Sequence, residues 1–570
     1  MSKEQAELRR WLEEVTDPEL SAELLSIRNE EKEVHERFYR SLEFGTGGLR
    51  GELGAGTNRM NIYTVRQATQ GFAAYLLTQD EKPSAAISYD SRHQSDVFAR
   101  ETARVLAANG IKVYLYPHLM PTPALSFAVL DRHCTGGVMV TASHNPARYN
   151  GYKAYAADGA QISGHVAAAV SEEIEKTDIF RDVKLADFEE ALADGRIEYI
   201  GDALIERYYA AVMAQALRPE LGKAAGLRLV YTPLNGSGLV PVMTVLKRMG
   251  HTDITVVPEQ EQPNGDFPTC PYPNPEILEA MQLGLNLCEK LGADLLLATD
   301  PDSDRVGTAV LQNGTPRLIS GNEMGALLLD YICRTRLELH KMPKNPVAVR
   351  SIVSTTMTDA IAAHYGVEMR QVLTGFKYIG EQIAHLEAEG HPERFIFGFE
   401  ESYGYLAGSY VRDKDAVVGS MLICEMAAYY RSIGSSIKEE LERIYAEYGR
   451  YLNKVNSYEF PGLSGMETMA GIMTKLRENP PAEFAGYKVV TVADYKARTK
   501  TDVATGKTEP IELPAANVLI YTLAGGASVV VRPSGTEPKI KTYFTTLGKD
   551  LAEAEAQQKA LAAAVEPLLK

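Results

Sequence analysis

The chain has only five cysteines in 570 residues, at positions 134, 270, 288, 333 and 424, odd in number and with no CxxC pair. That spacing offers no zinc site and no disulfide framework, and it fits free thiols in a reducing, cytoplasmic compartment. No apolar run approaches the roughly 18 to 20 residues of a membrane span. The opening Met1-Ser2-Lys3-Glu4-Gln5 is polar and has no signal-peptide core behind it. A concentrated basic face is missing too. Lys and Arg number 59 against 75 Asp and Glu, and the net charge of −16 is spread without a long single-sign block. This argues against a nucleic-acid partner. There is no G-x-S-x-G elbow of a Ser-His-Asp hydrolase, and nothing in the pattern calls for an obligate protein partner. An acidic chain that handles an anionic ligand must gather its cations locally or recruit a metal.

A chain of 570 residues, 45% hydrophobic and 24% charged, is too long for one core and predicts roughly three to five soluble domains. Residues 3–43 read as helical with a break near Pro18, because Leu8, Trp11, Leu12 and Val15 fall at helical spacing. Phe44-Gly-Thr-Gly-Gly-Leu-Arg-Gly51 reads as a glycine-rich turn carrying Arg50. It is not a P-loop, since no Lys-Ser/Thr follows. Exposed N–H groups beside an arginine could still hold an anion, or the stretch could be a connector.

A repeat follows. Strand-like Ala85–Tyr89, helical Ser95–Asn109, Gly110 and strand-like Ile111–Tyr116 recur as Leu227–Tyr231, Gly238–Met249, Gly250 and Ile254–Val257. They recur again as Val347–Val353, Thr356–Tyr365, Gly366 and Val367–Leu373. Each glycine sits where a helix wants a left-handed residue after its last turn. The alternation implies βαβ units and largely parallel sheets. Beyond about residue 449 the pattern turns antiparallel, with strands at 518–523, 527–531 and 540–545 and a helix over 551–569. The expected architecture is α/β, with four domains around a central cleft. These are 1–205, 206–319 and 320–448, similar mixed-sheet domains, and a smaller α+β domain over 449–570.

Each repeat is followed by a strand ending in an unusual polar loop: Thr141-Ala-Ser-His-Asn-Pro146, Asp300-Pro-Asp-Ser-Asp-Arg305 and Gly398-Phe-Glu-Glu-Ser402. Read alone, each is also ordinary turn or acidic-loop chemistry. A recurring position is harder to assign to chance, and open α/β sheets present reactive groups at such strand ends. Ser143 is the candidate nucleophile. Asp300, Asp302 and Asp304 converge if the loop curls, and two unpaired carboxylates at 4 Å repel by about 4 kcal/mol at an effective dielectric of 20. They therefore need a cation, and hard oxygen ligands favour Mg²⁺ over zinc. An EF-hand is excluded, because Arg305 stands where it needs glycine and Leu311 where it needs glutamate. Arg532-Pro-Ser-Gly-Thr536 combines a guanidinium, two hydroxyls and a loosened backbone suited to phosphate, or to a plain hairpin turn. Glu400 and Ser402 suit sugar hydroxyls.

These four stretches, with Phe44–Gly51 and Asn58-Arg-Met-Asn61, resemble the α-D-phosphohexomutase superfamily, nearest its phosphoglucomutase branch with phosphopentomutase-like members. The resemblance covers nearly the whole chain, with the motifs in family order. It implies that Ser143 carries the transferable phosphoryl group, with one Mg²⁺ held by Asp300, Asp302, Asp304 and an oxygen on Ser143. Arg305 would neutralise the phosphate, Lys153 would be the general acid/base, and His144 would stand with them in the catalytic loop. A second cation and burial would lower the pKa of Lys153. The distant phosphate would be bound by Arg532, Ser534, Gly535 and Thr536, and the sugar by Glu400 and Ser402. Thr374, Gly375, Lys377 and Lys414 would add substrate contacts, and Arg50 would line the entrance. The implied partner is a small sugar phosphate. The implied reaction interconverts glucose 1-phosphate and glucose 6-phosphate through glucose 1,6-bisphosphate, which also serves as activator.

Two departures stand out: Phe399 before Glu400, where glycine is commoner, and Gly47, where Ser or Ala is. The first leaves pentose and mannose phosphates open as substrates. A phosphoserine-dependent hydrolase and a non-catalytic sugar-phosphate sensor are the readings from other classes.

Overall fold

The computed structural model describes residues 2–45, 47–312, 314–460, 465–534 and 539–570. Three helices open the chain: Lys3–Glu14, Pro18–Ile27 and Glu31–Phe38. Pro18 begins the second, with the Asp17 carboxylate accepting from Leu20 N–H. A proline in the first helical turn costs no hydrogen bond, which is why the break falls there. Trp11 is fully buried against Phe38, Tyr63 and Phe180, so the three helices cap the first α/β unit through a core of their own.

The three repeats form strand, helix, strand as the alternation predicts. They are Ser84–Tyr89, Ser95–Ala108 and Lys112–Leu115, then Leu229–Thr232, Leu239–Arg248 and Ile254–Val256, then Val347–Ser351, Met357–His364 and Glu368–Val372. Gly110, Gly250 and Gly366 end the helices with φ of 79°, 91° and 67°. In each sheet the first strand lies between two parallel neighbours. The third strands are Gly136–Val140, Leu295–Thr299 and Phe395–Glu400. Each is followed by an antiparallel fourth strand: Tyr149–Ala156, Val306–Gln312 and Gly404–Leu406. The sheets are therefore mixed, and the three polar loops are the same connection made three times.

Each of these loops holds a non-glycine residue in the left-handed region: Ser143 at φ 51°, Ser303 at 49° and Tyr403 at 68°. Such a residue costs on the order of 1–3 kcal/mol, so the surrounding structure must fix it. Here it does so at equivalent points of three sheets.

The stretch Phe44–Gly51 turns as expected only at its start, where Gly45 N–H donates to the Gly48 carbonyl oxygen at 3.1 Å and Gly47 has φ 115°. Gly48–Glu52 is a strand paired with Tyr149–Ala156, Gly48 opposite Lys153 and Arg50 opposite Gly151. A Cβ on Gly48 would lie 2.0 Å from the Tyr152 carbonyl oxygen. The glycine permits two backbones to approach; it does not mark a bend.

One hydrophobic core runs through all three α/β units, joining residues such as Tyr155, Tyr208, Tyr231, Leu297, Tyr405 and Val418. The C-terminal part is a separate antiparallel sheet with its own core, flanked by helices Gly465–Glu478 and Leu551–Val565. It meets the third unit at a smaller apolar contact, where Ile352, Val353 and Leu373 face Tyr495, Val518 and Tyr543. Its first strand, Arg450–Glu459, pairs along its length with Lys539–Gly548. Strand 450–459 is not expected from the sequence, because an edge strand with mostly solvated faces carries little apolar pattern. Among the described residues, no helix is long and apolar enough to cross a membrane, and all five cysteines are buried and unpaired.

Candidate active site

The shared core fixes three strand ends against each other, so the loops of the first two units touch. The Ser143 hydroxyl is buried, donates to Asp300 Oδ2 at 2.9 Å, and lies 3.2 Å from His144 Nδ1. The serine loop is held from beneath by Asp90 and Arg92, which follow the strand Ser84–Tyr89. Asp90 accepts from Thr141 Oγ1 at 2.6 Å, and Thr141 Oγ1 accepts from Ser143 N–H at 2.8 Å. Arg92 donates to the carbonyl oxygens of Pro146 at 2.9 Å and Tyr149 at 3.0 Å, and also to those of Ser143 and Asn145. A Cβ on Gly151 would lie 2.5 Å from the Thr141 carbonyl oxygen, so the fourth strand presses directly on the loop.

Asp300, Asp302 and Asp304 are buried, and each offers a carboxylate oxygen within 4.8 Å of the others. Asp300 Oδ1 accepts from the N–H groups of Asp304 and Arg305 at 3.1 and 3.0 Å, which curls the loop. Gly236, in the loop after the neighbouring strand Leu229–Thr232, sits where a Cβ would lie 2.5 Å from Pro301. Asp302 Oδ1 and Asp304 Oδ1 are buried with no hydrogen-bond donor among the described residues. Burial and the two neighbouring carboxylates push Asp300 well above the ordinary aspartate value. Buried carboxylate oxygens this close together, some of them orphaned, fit a metal-ion site, and oxygen ligands suit a hard cation.

Two lysines balance this charge. Lys153, from the fourth strand of the first sheet, donates to Asp302 Oδ2 at 2.9 Å and lies 3.6 Å from Asp304. Lys414 lies 2.7 Å from Asp304 Oδ2. Lys414 comes from the third unit and is fixed by its neighbours. Asp413 accepts from the Tyr155 hydroxyl at 2.8 Å, while Asp415 accepts from those of Tyr208 and Tyr410 at 3.0 and 2.7 Å. The expected lowering of the Lys153 pKa is reversed. Burial pulls it down, but Asp302 and Asp304 outweigh burial and the Lys414 charge, so Lys153 lies above the ordinary lysine value. His144 is pushed well below the ordinary histidine value by burial and by Arg305 and Arg50, which leaves its imidazole neutral.

The third loop meets the same space. Glu400 is the last residue of its strand, is buried, and accepts from Gly375 N–H at 2.6 Å. Burial, then Glu401, raises it to about 7. Gly375 has φ 120° and opens helix Phe376–Ala388, so a side chain there would be strained. Thr374 Oγ1 is buried without a hydrogen-bond partner among the described residues. Lys377 Nζ lies 5.1 Å from the Tyr378 ring centroid, and burial lowers its pKa. Ser402 is half-buried. Phe399 points the other way, as strand alternation requires. It is fully buried against helix Gly321–Glu338, where a Cβ on Gly325 would lie 2.4 Å from its ring. The departure from the commoner glycine thus lies in the core and does not line the cleft.

Arg50 is exposed on its edge strand, near enough for its charge to act on His144. Arg532 stands in strand Ser528–Pro533 and donates to the Tyr543 hydroxyl at 3.4 Å, and Ser534 N–H donates to the Lys539 carbonyl oxygen at 2.8 Å. Gly535 and Thr536 lie outside the described residues. Arg305 donates to Glu276 Oε1 at 2.6 Å and lies 3.8 Å from Asp304 Oδ1.

Sequence reasoning missed Arg92 and Thr122. Thr122 opens a helix in the first unit, donates its hydroxyl to Asp302 Oδ2 at 2.8 Å and its N–H to the Asp302 carbonyl oxygen at 2.9 Å. A signal existed: Asp90-Ser-Arg92 and Pro121-Thr-Pro123 each follow a strand of the first repeat, just as the polar loops follow the third strands.

Known proteins resemble the chain along most of its length. Models of the phosphoglucomutase/phosphomannomutase alpha/beta/alpha domains I, II and III match residues 41–180, 206–314 and 320–448, and that of the C-terminal domain matches 475–564. A phosphoglucomutase of Staphylococcus epidermidis is 37% identical over 537 residues, 94% of this chain and 96% of that one. A phosphoglucomutase/phosphomannomutase family protein from Burkholderia thailandensis shares the fold at TM-score 0.67 and 18% identity, covering 92% of this chain and 97% of that one. So does the open form of parafusin, a phosphoglucomutase of Paramecium, at TM-score 0.67 and 18% identity, covering 93% and 95%. With four domain models in order and a relative alike along almost its whole length, the chain belongs to the phosphoglucomutase/phosphomannomutase family.

Proposed function

We propose that the chain is an intramolecular phosphotransferase, an isomerase that interconverts glucose 1-phosphate and glucose 6-phosphate. The observation that carries this reading is the buried Ser143 hydroxyl 2.9 Å from Asp300, at the edge of three converging carboxylates. The resting phosphoryl group is on Ser143 Oγ. The sugar 6-hydroxyl oxygen attacks phosphorus, the bond to Ser143 Oγ breaks, and the hydroxyl proton ends on Ser143. The bisphosphate turns end for end, and its 1-phosphate returns to Ser143 by the reverse chemistry.

Lys153, in contact with the aspartate group, is the proposed carrier of the proton between sugar oxygen and serine oxygen. A Mg²⁺ held by Asp300, Asp302, Asp304 and an oxygen on Ser143 would supply Lewis-acid stabilisation of the transferring group. Arg305 and Lys414 add fixed positive charge on its flank. Glu400 and Ser402 accept and donate to ring hydroxyls, with Thr374, Gly375 and Lys377 beside them. Arg532, Ser534, Gly535 and Thr536 hold the phosphate that is not reacting, and Arg50 lines the entrance. The substrate partner is a small sugar phosphate, glucose 1,6-bisphosphate is intermediate and activator, and the setting is cytoplasmic. We take the four domains as 1–205, 206–319, 320–448 and 449–570.

Comparing turnover of glucose 1-phosphate, mannose 1-phosphate and ribose 1-phosphate, each with trace bisphosphate, tests the substrate. Glucose 1-phosphate should be converted fastest; a faster pentose or mannose phosphate transfers the same mechanism to that sugar. Steady release of labelled inorganic phosphate at the turnover rate would make the chain a hydrolase instead.

A further inference from the structure

Glu276 is a carboxylate beside the aspartate loop to which the proposed mechanism gives no role. Its Oε1 accepts from Arg305 Nη1 at 2.6 Å, with the two side chains 33% and 16% exposed. The segment presenting it is stiff. Pro271, Pro273 and Pro275 alternate along it, the Asn274 side chain accepts from Glu276 N–H at 3.1 Å, and Ile277 N–H donates to the Asn274 carbonyl oxygen at 2.9 Å. It also rests on the strand that follows the aspartate loop. A Cβ on Gly307 would lie 2.7 Å from Pro275 Cβ and 2.8 Å from its carbonyl oxygen. Residue 276 is therefore set against residue 305 by backbone contact and not by side-chain reach alone.

The charge of Glu276 reaches beyond Arg305. It raises Tyr403 in the third loop after burial does, and it acts on Lys541 and Tyr543 of the C-terminal sheet. Lys541 lies directly across the ladder from Arg532. Glu276 thus contacts the aspartate loop and lies within electrostatic reach of the sugar loop and the C-terminal sheet.

We infer that Glu276 is a positioning residue for phosphoryl transfer, holding the Arg305 guanidinium beside the aspartate cluster in the geometry that the transferring phosphate needs. An arginine has a planar fork of donors, so one edge can stay on Glu276 while another faces phosphate. Without the carboxylate, the long side chain keeps its charge and loses its direction. The cost then falls on the transition state more than on substrate binding, because the group in flight demands the tighter alignment.

The inference rests on the phosphoryl-transfer reading above, and the test separates the two. Glucose 1-phosphate turnover with Mg²⁺ and trace bisphosphate is measured for wild type, Glu276→Gln, Glu276→Asp and Arg305→Ala. Glu276→Gln should lower kcat roughly 10- to 100-fold with KM changed less than about threefold, and Glu276→Asp should recover part of the loss. The double variant Glu276→Gln/Arg305→Ala should be no slower than Arg305→Ala, since the carboxylate acts through the guanidinium. If Glu276→Gln turns over like wild type, or the two changes multiply, Glu276 does not act through Arg305 and the inference fails alone. A wild-type chain that converts none of glucose 1-phosphate, mannose 1-phosphate and ribose 1-phosphate overturns the functional reading and this inference together. Far-UV and near-UV circular dichroism matching wild type accompanies each variant, so that loss of fold is not read as loss of alignment.

Discussion

Arg92 donates a hydrogen bond to the carbonyl oxygen of Ser143, from a position wholly beneath the serine loop. The same guanidinium holds the carbonyls of Asn145, Pro146 and Tyr149 and packs 5.1 Å from the Phe267 ring of the second unit. Arg92→Ala leaves those oxygens buried without this donor and Asp90 without its cation. The expected cost is about 2–3 kcal/mol of stability, read as a lower urea midpoint, with kcat falling further than KM rises. Arg92→Lys should rescue little, because one ammonium cannot span four acceptors.

Ser143→Ala should leave the fold intact and reduce turnover by more than about a thousandfold, since no other oxygen can receive the phosphoryl group. Incubation with bisphosphate labelled in phosphorus should transfer label to wild type and not to the variant. Label on the Ser143→Ala chain would show that another residue is the acceptor.

Removal of divalent ions should abolish turnover and lower thermal stability, because three buried carboxylates then repel, offset in part by Lys153, Lys414 and Arg305. Mg²⁺ should restore both, and at a hundred times its Kd it should add about 2.7 kcal/mol to folding. Scanning calorimetry with and without chelator checks the shift. An unchanged transition would count against an ion at Asp300, Asp302 and Asp304.

Glu400 gives a pH dependence with a definite sign. Its pKa is raised to about 7 by burial and Glu401, so it is neutral below that pH and an acceptor for sugar hydroxyls above it. kcat/KM should rise as pH increases through about 7, and Glu400→Gln should remove that limb. The stability effect runs oppositely. A carboxyl raised above its unfolded value penalises folding once the unfolded form ionises, near pH 4.5, and fully so above about 7. Glu400→Gln should therefore relieve a penalty at pH 8 that is absent near pH 4.

Phe399→Leu separates core from cleft. The ring packs on Gly325, away from Glu400. The substitution should cost about 1–2 kcal/mol of stability while the ratio of glucose 1-phosphate to mannose 1-phosphate turnover stays constant. A changed ratio would place the aromatic ring in substrate selection after all.

Local chemistry made much of this molecule legible from the chain alone. Glycines 110, 250 and 366 marked helix ends because only a residue tolerant of positive φ closes a helix there at little cost. The alternating strands and helices announced three α/β units, and the spacing of Asp300, Asp302 and Asp304 announced a cation site, since like charges brought together need one. These are properties of a few consecutive residues, and such properties survive without knowledge of the fold.

What only the tertiary structure decided is whatever depends on residues far apart in the chain. The direction of the Lys153 pKa depends on Asp302 and Asp304, 149 positions or more away, which outweigh burial and Lys414. Arg92 and Glu276 look like ordinary surface charges in sequence and become supports of the site only when segments 51 and 29 positions away fold against them. Gly48 reads as a turn and is a strand, because the reason for the glycine is the Tyr152 carbonyl 2.0 Å from where a side chain would stand. Periodicity and turn chemistry are written along the chain, whereas the balance of charges in a cleft is set by distances that only packing fixes.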